Sequence, residues 1–117
     1  MKAPGQIVLF RFPYANLIEG KIRPALLLGR LPGIHGDWLL CMISSRLEQQ
    51  VEGFDEIILL EDEDFVSSGL KIASLIRIGR LAVVEDDILI GSIGEISEAR
   101  LIGIKSRLGR WITRNTI

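Results

Sequence analysis

Apolar residues fall in short runs broken by Pro and Gly, and most runs have the length of a strand. Gln6–Phe12 (QIVLFRF) is rich in β-branched and aromatic residues and stops at Pro13. Pro24–Arg30 (PALLLGR) and Asp37–Ser45 (DWLLCMISS) are almost continuously apolar, the pattern of strands buried on both faces. Phe54–Leu60 predicts a fourth strand after Gly53. Lys71–Arg80 alternates, with Ile72, Ser74, Ile76 and Ile78 on one face. Leu81–Val84 and Ile88–Ile93 predict two more strands around the acidic turn Glu85-Asp86-Asp87. Between them, Glu61–Ser68 fits one or two helical turns ended by Gly69. The glycines of Gly91-Ser92-Ile93-Gly94 read as strand curvature.

The period changes at the C-terminus. Leu101, Ile104, Leu108, Trp111 and Ile112 lie on one face of a helix, with Ser97 as its N-cap. Gly103 and Gly109 weaken that helix by about 1 kcal/mol each against Ala, so it must lean on tertiary packing. The expected fold is mainly β, a small and strongly bent barrel with an amphipathic C-terminal helix beside it.

Composition narrows the class. The chain has 117 residues, 48% hydrophobic and 25% charged, and is read as a single domain over residues 1–117. Its one cysteine, Cys41, excludes an intramolecular disulfide, and a reducing cytoplasm is the expected compartment. Its neighbours in WLLCMI mark it as a buried, inert thiol. The longest apolar run, Trp38–Ile43, is too short to span a membrane, and the apolar stretch before Arg11 is too short for a signal peptide. The net charge is −1, yet the charges are polarised: residues 48–64 hold eight acids and no base, and residues 97–117 hold five bases and one acid. Such a map suits partner binding or a groove that tracks phosphates.

Familiar catalytic signatures are missing. There is no phosphate-binding glycine loop of the P-loop type, no paired cysteines, and a single histidine, His35, in a Pro/Gly loop where it reads as incidental. No metal site or cofactor is expected. Two places stand out instead. In Lys21-Ile22-Arg23-Pro24, the proline biases Arg23 towards an extended backbone and aims its side chain at the mouth of the fold. In Ser44-Ser45-Arg46, two hydroxyls and a guanidinium emerge where an apolar strand ends. If the two strands are antiparallel neighbours, Arg23 and Ser44 meet at one rim. Arginine with hydroxyl is a phosphate-recognition set; a salt-bridged rim with a turn-capping serine is the other reading.

The order of motifs adds to this. Gly5-Gln6-Ile7-Val8-Leu9 with Phe12-Pro13-Tyr14 is similar to the opening of the MazF/PemK family of toxin–antitoxin endoribonucleases. Arg23-Pro24-Ala25-Leu26-Leu27-Leu28, Cys41-Met42-Ile43-Ser44-Ser45-Arg46, Gly69-Leu70-Lys71 with Ser74-Leu75-Ile76-Arg77, and Ile93-Gly94-Glu95-Ile96-Ser97 resemble its later motifs, in the family's order. The resemblance implies a homodimeric SH3-like barrel and a metal-independent, sequence-specific ribonuclease. It would cut single-stranded RNA by attack of a ribose 2′-OH and be neutralised by a cognate antitoxin protein. It maps the catalytic arginine to Arg23 and the catalytic hydroxyl to Ser44. Ser45, Arg46, Arg77, Lys21 and Tyr14 are the expected substrate contacts. Ser44 stands where the family usually has Thr, and Arg77-Ile78-Gly79 lacks the Asp of the R-x-D found in some members. Two other readings share the fold: a non-catalytic, CcdB-like poison of a protein target, and an RNA- or protein-binding module.

Overall fold

A computed structural model describes residues 2–12 and 21–114. Of the loop expected over Pro13–Ile22, residues 13–20, with Tyr14, lie outside them, and Lys21 and Ile22 belong to a strand instead. Six strands follow in order: β1 Gln6–Phe12, β2 Lys21–Arg30, β3 Asp37–Ser44, β4 Glu56–Ile58, β5 Ser74–Glu85 and β6 Gly91–Glu95. Two helices complete the fold, α1 Phe65–Ser68 between β4 and β5, and α2 Glu98–Arg114 at the end. The strands form one curled antiparallel sheet in the order β4-β5-β3-β2-β1-β6. The expected mainly β fold with a C-terminal helix is what the chain adopts. Among the described residues, no helix is long and apolar enough to cross a membrane.

β2 and β3 are continuously apolar because both their faces are covered. Leu26, Leu28, Cys41 and Ile43 join one core, with Ile7, Ile58, Ile76, Ile78 and the α2 residues Ile104 and Leu108. Ala25, Leu27, Leu40 and Met42 join a second on the opposite face, with Val8, Phe10, Trp38 and Leu89. Irregularities in register bend the strands so that the sheet can curl, at Ile7/Val8, at Leu27/Gly29 and at Cys41/Met42.

Several boundaries differ from expectation. Lys71–Arg80 and Leu81–Val84 are not two strands; β5 runs unbroken through both. Cys41 pairs with Leu81 and Met42 with Arg77, so residues 78–80 bulge out between them. A bulge of this kind bends a strand without ending it. Phe54–Leu60 shortens to Glu56–Ile58, and Ile88–Ile93 shifts to Gly91–Glu95, preceded by a 3-10 turn at Asp86–Ile88. Gly94, the partner of Ile7 at the β1–β6 irregularity, serves close contact as well: a Cβ there would lie 2.2 Å from the Ser67 carbonyl oxygen. β6 thus presses against the end of α1, whose Gly69 cap takes the left-handed conformation (φ 76°). In α2, Ser97 caps as expected, its Oγ accepting the Arg100 amide at 3.1 Å. Trp111 and Ile112, placed on the buried face by periodicity, are instead exposed. The helix outruns the core it packs on.

Much of the polarised charge is spent internally. Arg100 reaches Glu56 (2.8 Å), Asp62 (3.0 Å) and Asp64 (2.8 Å), and Arg107 pairs with Glu56. Asp64 also accepts the Ser97 amide at 3.0 Å. Burial works against the charge on Asp64, but the Arg100 and Ser97 hydrogen bonds hold its carboxyl below the usual range. The acidic run fastens α2 to the sheet.

Candidate active site

β2 and β3 are antiparallel neighbours, paired from Arg30↔Trp38 to Ala25↔Met42. Their ladder ends there, beside Pro24, which has no N–H to extend it. β2 itself continues, paired to β1 through Leu9↔Pro24, Phe10↔Arg23 and Phe12↔Lys21. Arg23 therefore lies inside a strand rather than before one. The last β2–β3 partners fix what lies beyond them. Extending that register by two residues sets Arg23 across from Ser44, on the face of Ala25 and Met42.

Arg23, Ser44 and Ser45 share a cleft of about 470 Å³ at this rim. Leu9, Ile22 and Ile43 supply apolar wall, and the segment after α1 supplies Leu70 and Lys71. Arg23 is half-buried, and among the described residues its guanidinium has neither an ion pair nor a hydrogen bond. The Ser44 Oγ accepts the Arg46 amide at 3.0 Å, closing a tight turn. That bond occupies a lone pair and leaves the hydroxyl proton to donate outward. The serine is both a turn cap and an available donor. Among the described residues the rim is not salt-bridged. A guanidinium fork and a hydroxyl, facing each other without a carboxylate between them, are arranged for an external anion with several oxygens.

The other expected contacts divide. Ser45 lines the cleft; Lys21 and Arg46 are exposed but do not. Arg77 sits opposite Met42, and Ser44 sits opposite Leu75, so Arg77 is diagonal to Ser44 on the same face, at about 7–8 Å. Its guanidinium nevertheless bonds the Gln49 Oε1 at 3.1 Å and turns into a different cleft, with Phe54 and Arg80. Lys71, exposed at the mouth beside Arg23, was not among the expected contacts. Its one signal was its place in the Gly69-Leu70-Lys71 motif. His35 is at the far end of the β2–β3 hairpin, more than about 20 Å from Ser44 along β3. Cys41 is fully buried, and burial, with Asp55 nearby, pushes its thiol up to about 12. Neither residue serves this cleft. Among the described residues, no three His, Cys, Asp or Glu side chains are grouped to hold a metal ion.

The comparisons with known proteins agree with the fold. A family model described as PemK-like, MazF-like toxin of type II toxin–antitoxin system matches residues 3–112. No curated relative matches. Among solved structures, the Mycobacterium tuberculosis toxin MazF-mt6 is similar at TM-score 0.65 and 16% identity, over 95% of this chain and 99% of that one. An endoribonuclease in complex with its cognate antitoxin, from a mycobacterial species, is similar at TM-score 0.69 and 12% identity, over the full length of both chains.

Proposed function

Because the chain belongs to the PemK-like, MazF-like toxin family of type II toxin–antitoxin systems, we propose that it is a sequence-specific endoribonuclease acting on single-stranded RNA, with its centre at Arg23 and Ser44. The observation that carries this reading is the pair itself, held opposite at the rim with an uncompensated guanidinium.

In the proposed reaction the ribose 2′-oxygen forms a bond to the adjacent phosphorus and the bond to the 5′-oxygen breaks. The 2′-oxygen gives up one proton and the departing 5′-oxygen gains one. The products are a 2′,3′-cyclic phosphate and a 5′-OH end. The nucleophile is already tethered beside the phosphate, so proximity supplies several kcal/mol without an activated water. Arg23 offers two parallel N–H donors to the non-bridging oxygens as charge builds on them. Ser44 adds a third donor. Ser45 and Lys71 flank the phosphate chain at the mouth of the cleft. In a cell, the chain acts as a homodimer, and the cognate antitoxin silences it by covering this cleft with an acidic segment that folds on binding. The antitoxin in the similar solved complex supports that partner.

The test is incubation of the purified protein with a long unstructured RNA in excess EDTA. Cleavage is expected, with downstream fragments that polynucleotide kinase labels directly at a free 5′-OH. Arg23→Ala should cleave far more slowly while keeping the native circular dichroism and melting temperature. Intact RNA with wild-type protein, or full activity in Arg23→Ala, would contradict the proposal.

A further inference from the structure

A second cationic surface lies on the flank of the molecule. Phe54 is shared by two adjoining clefts. One, of about 370 Å³, brings it together with Trp111, Arg110 and Arg114 of α2. The other, of about 200 Å³, brings it together with Arg77 and Arg80 of β5. The Phe54 and Trp111 rings meet at 6.0 Å and 51°. Trp111 remains 51% exposed, an unusual cost for an indole on the surface of so small a domain. Gly79 permits the arrangement, since a Cβ there would lie only 3.2 Å from the Phe54 ring.

The four arginines differ from those that fasten α2. None of Arg77, Arg80, Arg110 or Arg114 has a carboxylate within ion-pair distance among the described residues. Arg77 bonds only Gln49, and Arg110 bonds the Ser106 hydroxyl. Two of the nearby acids are already engaged: Asp55, which lines the second cleft, accepts the Val51 and Ile78 amides, and Glu56 holds Arg100 and Arg107. A chain of net charge −1 thus concentrates four guanidinium groups, none neutralised by a described carboxylate, around two aromatic rings.

We propose that this surface is an exosite for single-stranded RNA, which carries the strand away from the cleavage rim. The inference rests on the ribonuclease reading above. Three observations select the occupant. Phosphates answer the arginines, and unpaired bases answer the aromatic rings, a pairing of needs that single-stranded nucleic acid meets. The surface is continuous with the rim, because Arg77 stands diagonal to Ser44 on the same sheet face while its side chain leads into the Phe54 cleft. The rim cleft, at about 470 Å³, is the size of a small-molecule site, so most of a long strand must lie outside it.

The experiment compares a long and a short RNA on the full chain. The long probe is an uncleavable 2′-O-methyl oligonucleotide of roughly 20 nucleotides, longer than a single groove occupies. Its Kd is followed by fluorescence anisotropy over a range of salt. The double variant Arg110→Ala/Arg114→Ala should weaken binding about tenfold and reduce the salt slope by about 1.4, which is about 0.7 for each of the two phosphates no longer neutralised. Trp111→Ala should weaken it about tenfold by loss of stacking, and Trp111→Phe should recover most of the loss. Cleavage of a short RNA that fills only the rim should be unchanged in all three. Unchanged Kd and salt slope in the variants, with wild-type protein that binds and cleaves, would overturn the exosite alone. Wild-type protein that neither binds nor cleaves would overturn the ribonuclease reading and the exosite with it. A polyglutamate peptide that binds through Trp111 while RNA affinity stays untouched would assign the surface to an acidic protein segment and overturn the RNA proposal. Loss of a dimer in the variants, with RNA affinity per subunit unchanged, would assign it to a second copy and overturn it equally.

Discussion

Arg100, on α2, and Arg23, on the interior strand β2, are both partly buried, and their surroundings differ in kind. Arg100 sends its guanidinium into Glu56, Asp62 and Asp64, and a carbonyl, that of Ile57, takes a further hydrogen bond. Arg23 is also half-buried, and no described group meets its guanidinium. A partly buried charge without a partner is costly, and folding alone gives no reason to keep one. The fully bonded arginine is a fastener. The unbonded one, placed opposite a hydroxyl at the mouth of a cleft, is suited to an anion brought from outside. Substitutions at the two positions should therefore separate cleanly, one changing activity and the other stability.

The largest effect is expected at Arg23. Replacement by Ala should lower kcat/KM for RNA by about 100- to 1,000-fold, the usual loss when one transition-state donor is removed. The melting temperature should stay within a degree or two. Arg23→Lys should recover little, because an ammonium offers a point charge and no fork. Steady-state kinetics beside a thermal melt check both halves.

Arg100→Ala should show the reverse. It strands Asp64, only 6% exposed, without its cation. The expected cost is about 3 kcal/mol, or roughly 10 °C in Tm. Cleavage per folded molecule, measured well below the melt, should match wild type. A catalytic loss larger than the folded fraction explains would break the comparison.

Ser44 should fall between. Ser44→Ala removes one donor to a charged oxygen, worth about 1.5–3 kcal/mol, and should slow cleavage by roughly 10- to 100-fold. It also removes the acceptor for the Arg46 amide, so a small loss of stability accompanies it. Ser44→Thr keeps both functions and should lie within a few-fold of wild type.

The smallest effect is a pH dependence. The carboxyl of Asp64 sits below its ordinary value of 3.8 in the folded chain. A depressed carboxylate contributes stability above 3.8, and that contribution is lost as the pH falls through the lower folded value. Asp64→Asn should accordingly be less stable than wild type at neutral pH, and the gap should narrow as the pH drops. Urea unfolding at a series of pH values measures it. A gap that widens on acidification would contradict the assigned role.

How much of this the sequence disclosed follows from the reach of each interaction. The apolar runs of β2 and β3, the Gly69 cap and the Ser97 cap are local, and each was legible. So was the opposition of Arg23 and Ser44, since an antiparallel hairpin maps sequence distance from its turn onto position along the sheet. The unbroken β5 was not, because its bulge at residues 78–80 is held from a distance, Asp55 accepting the Ile78 amide. Periodicity put Trp111 and Ile112 inward because it cannot tell where the core ends. The acids of residues 48–64 looked like a surface for a partner, since the arginines that bind them lie some 40 residues away in the chain. Arg77 was expected to contact the substrate. Its backbone is close to Ser44, but its side chain bonds Gln49 and lines a different cleft.

The most direct test observes both arginines in one sample. The cleavage site, once mapped, permits an oligonucleotide with a single 2′-deoxy position at the attacking ribose, which binds without being cut. Titrated into 15N-labelled protein, it should shift and sharpen the Arg23 Nε–H resonance while leaving that of Arg100 in place. Saturable RNA binding with an unmoved Arg23 signal would contradict the claim that this guanidinium receives the scissile phosphate.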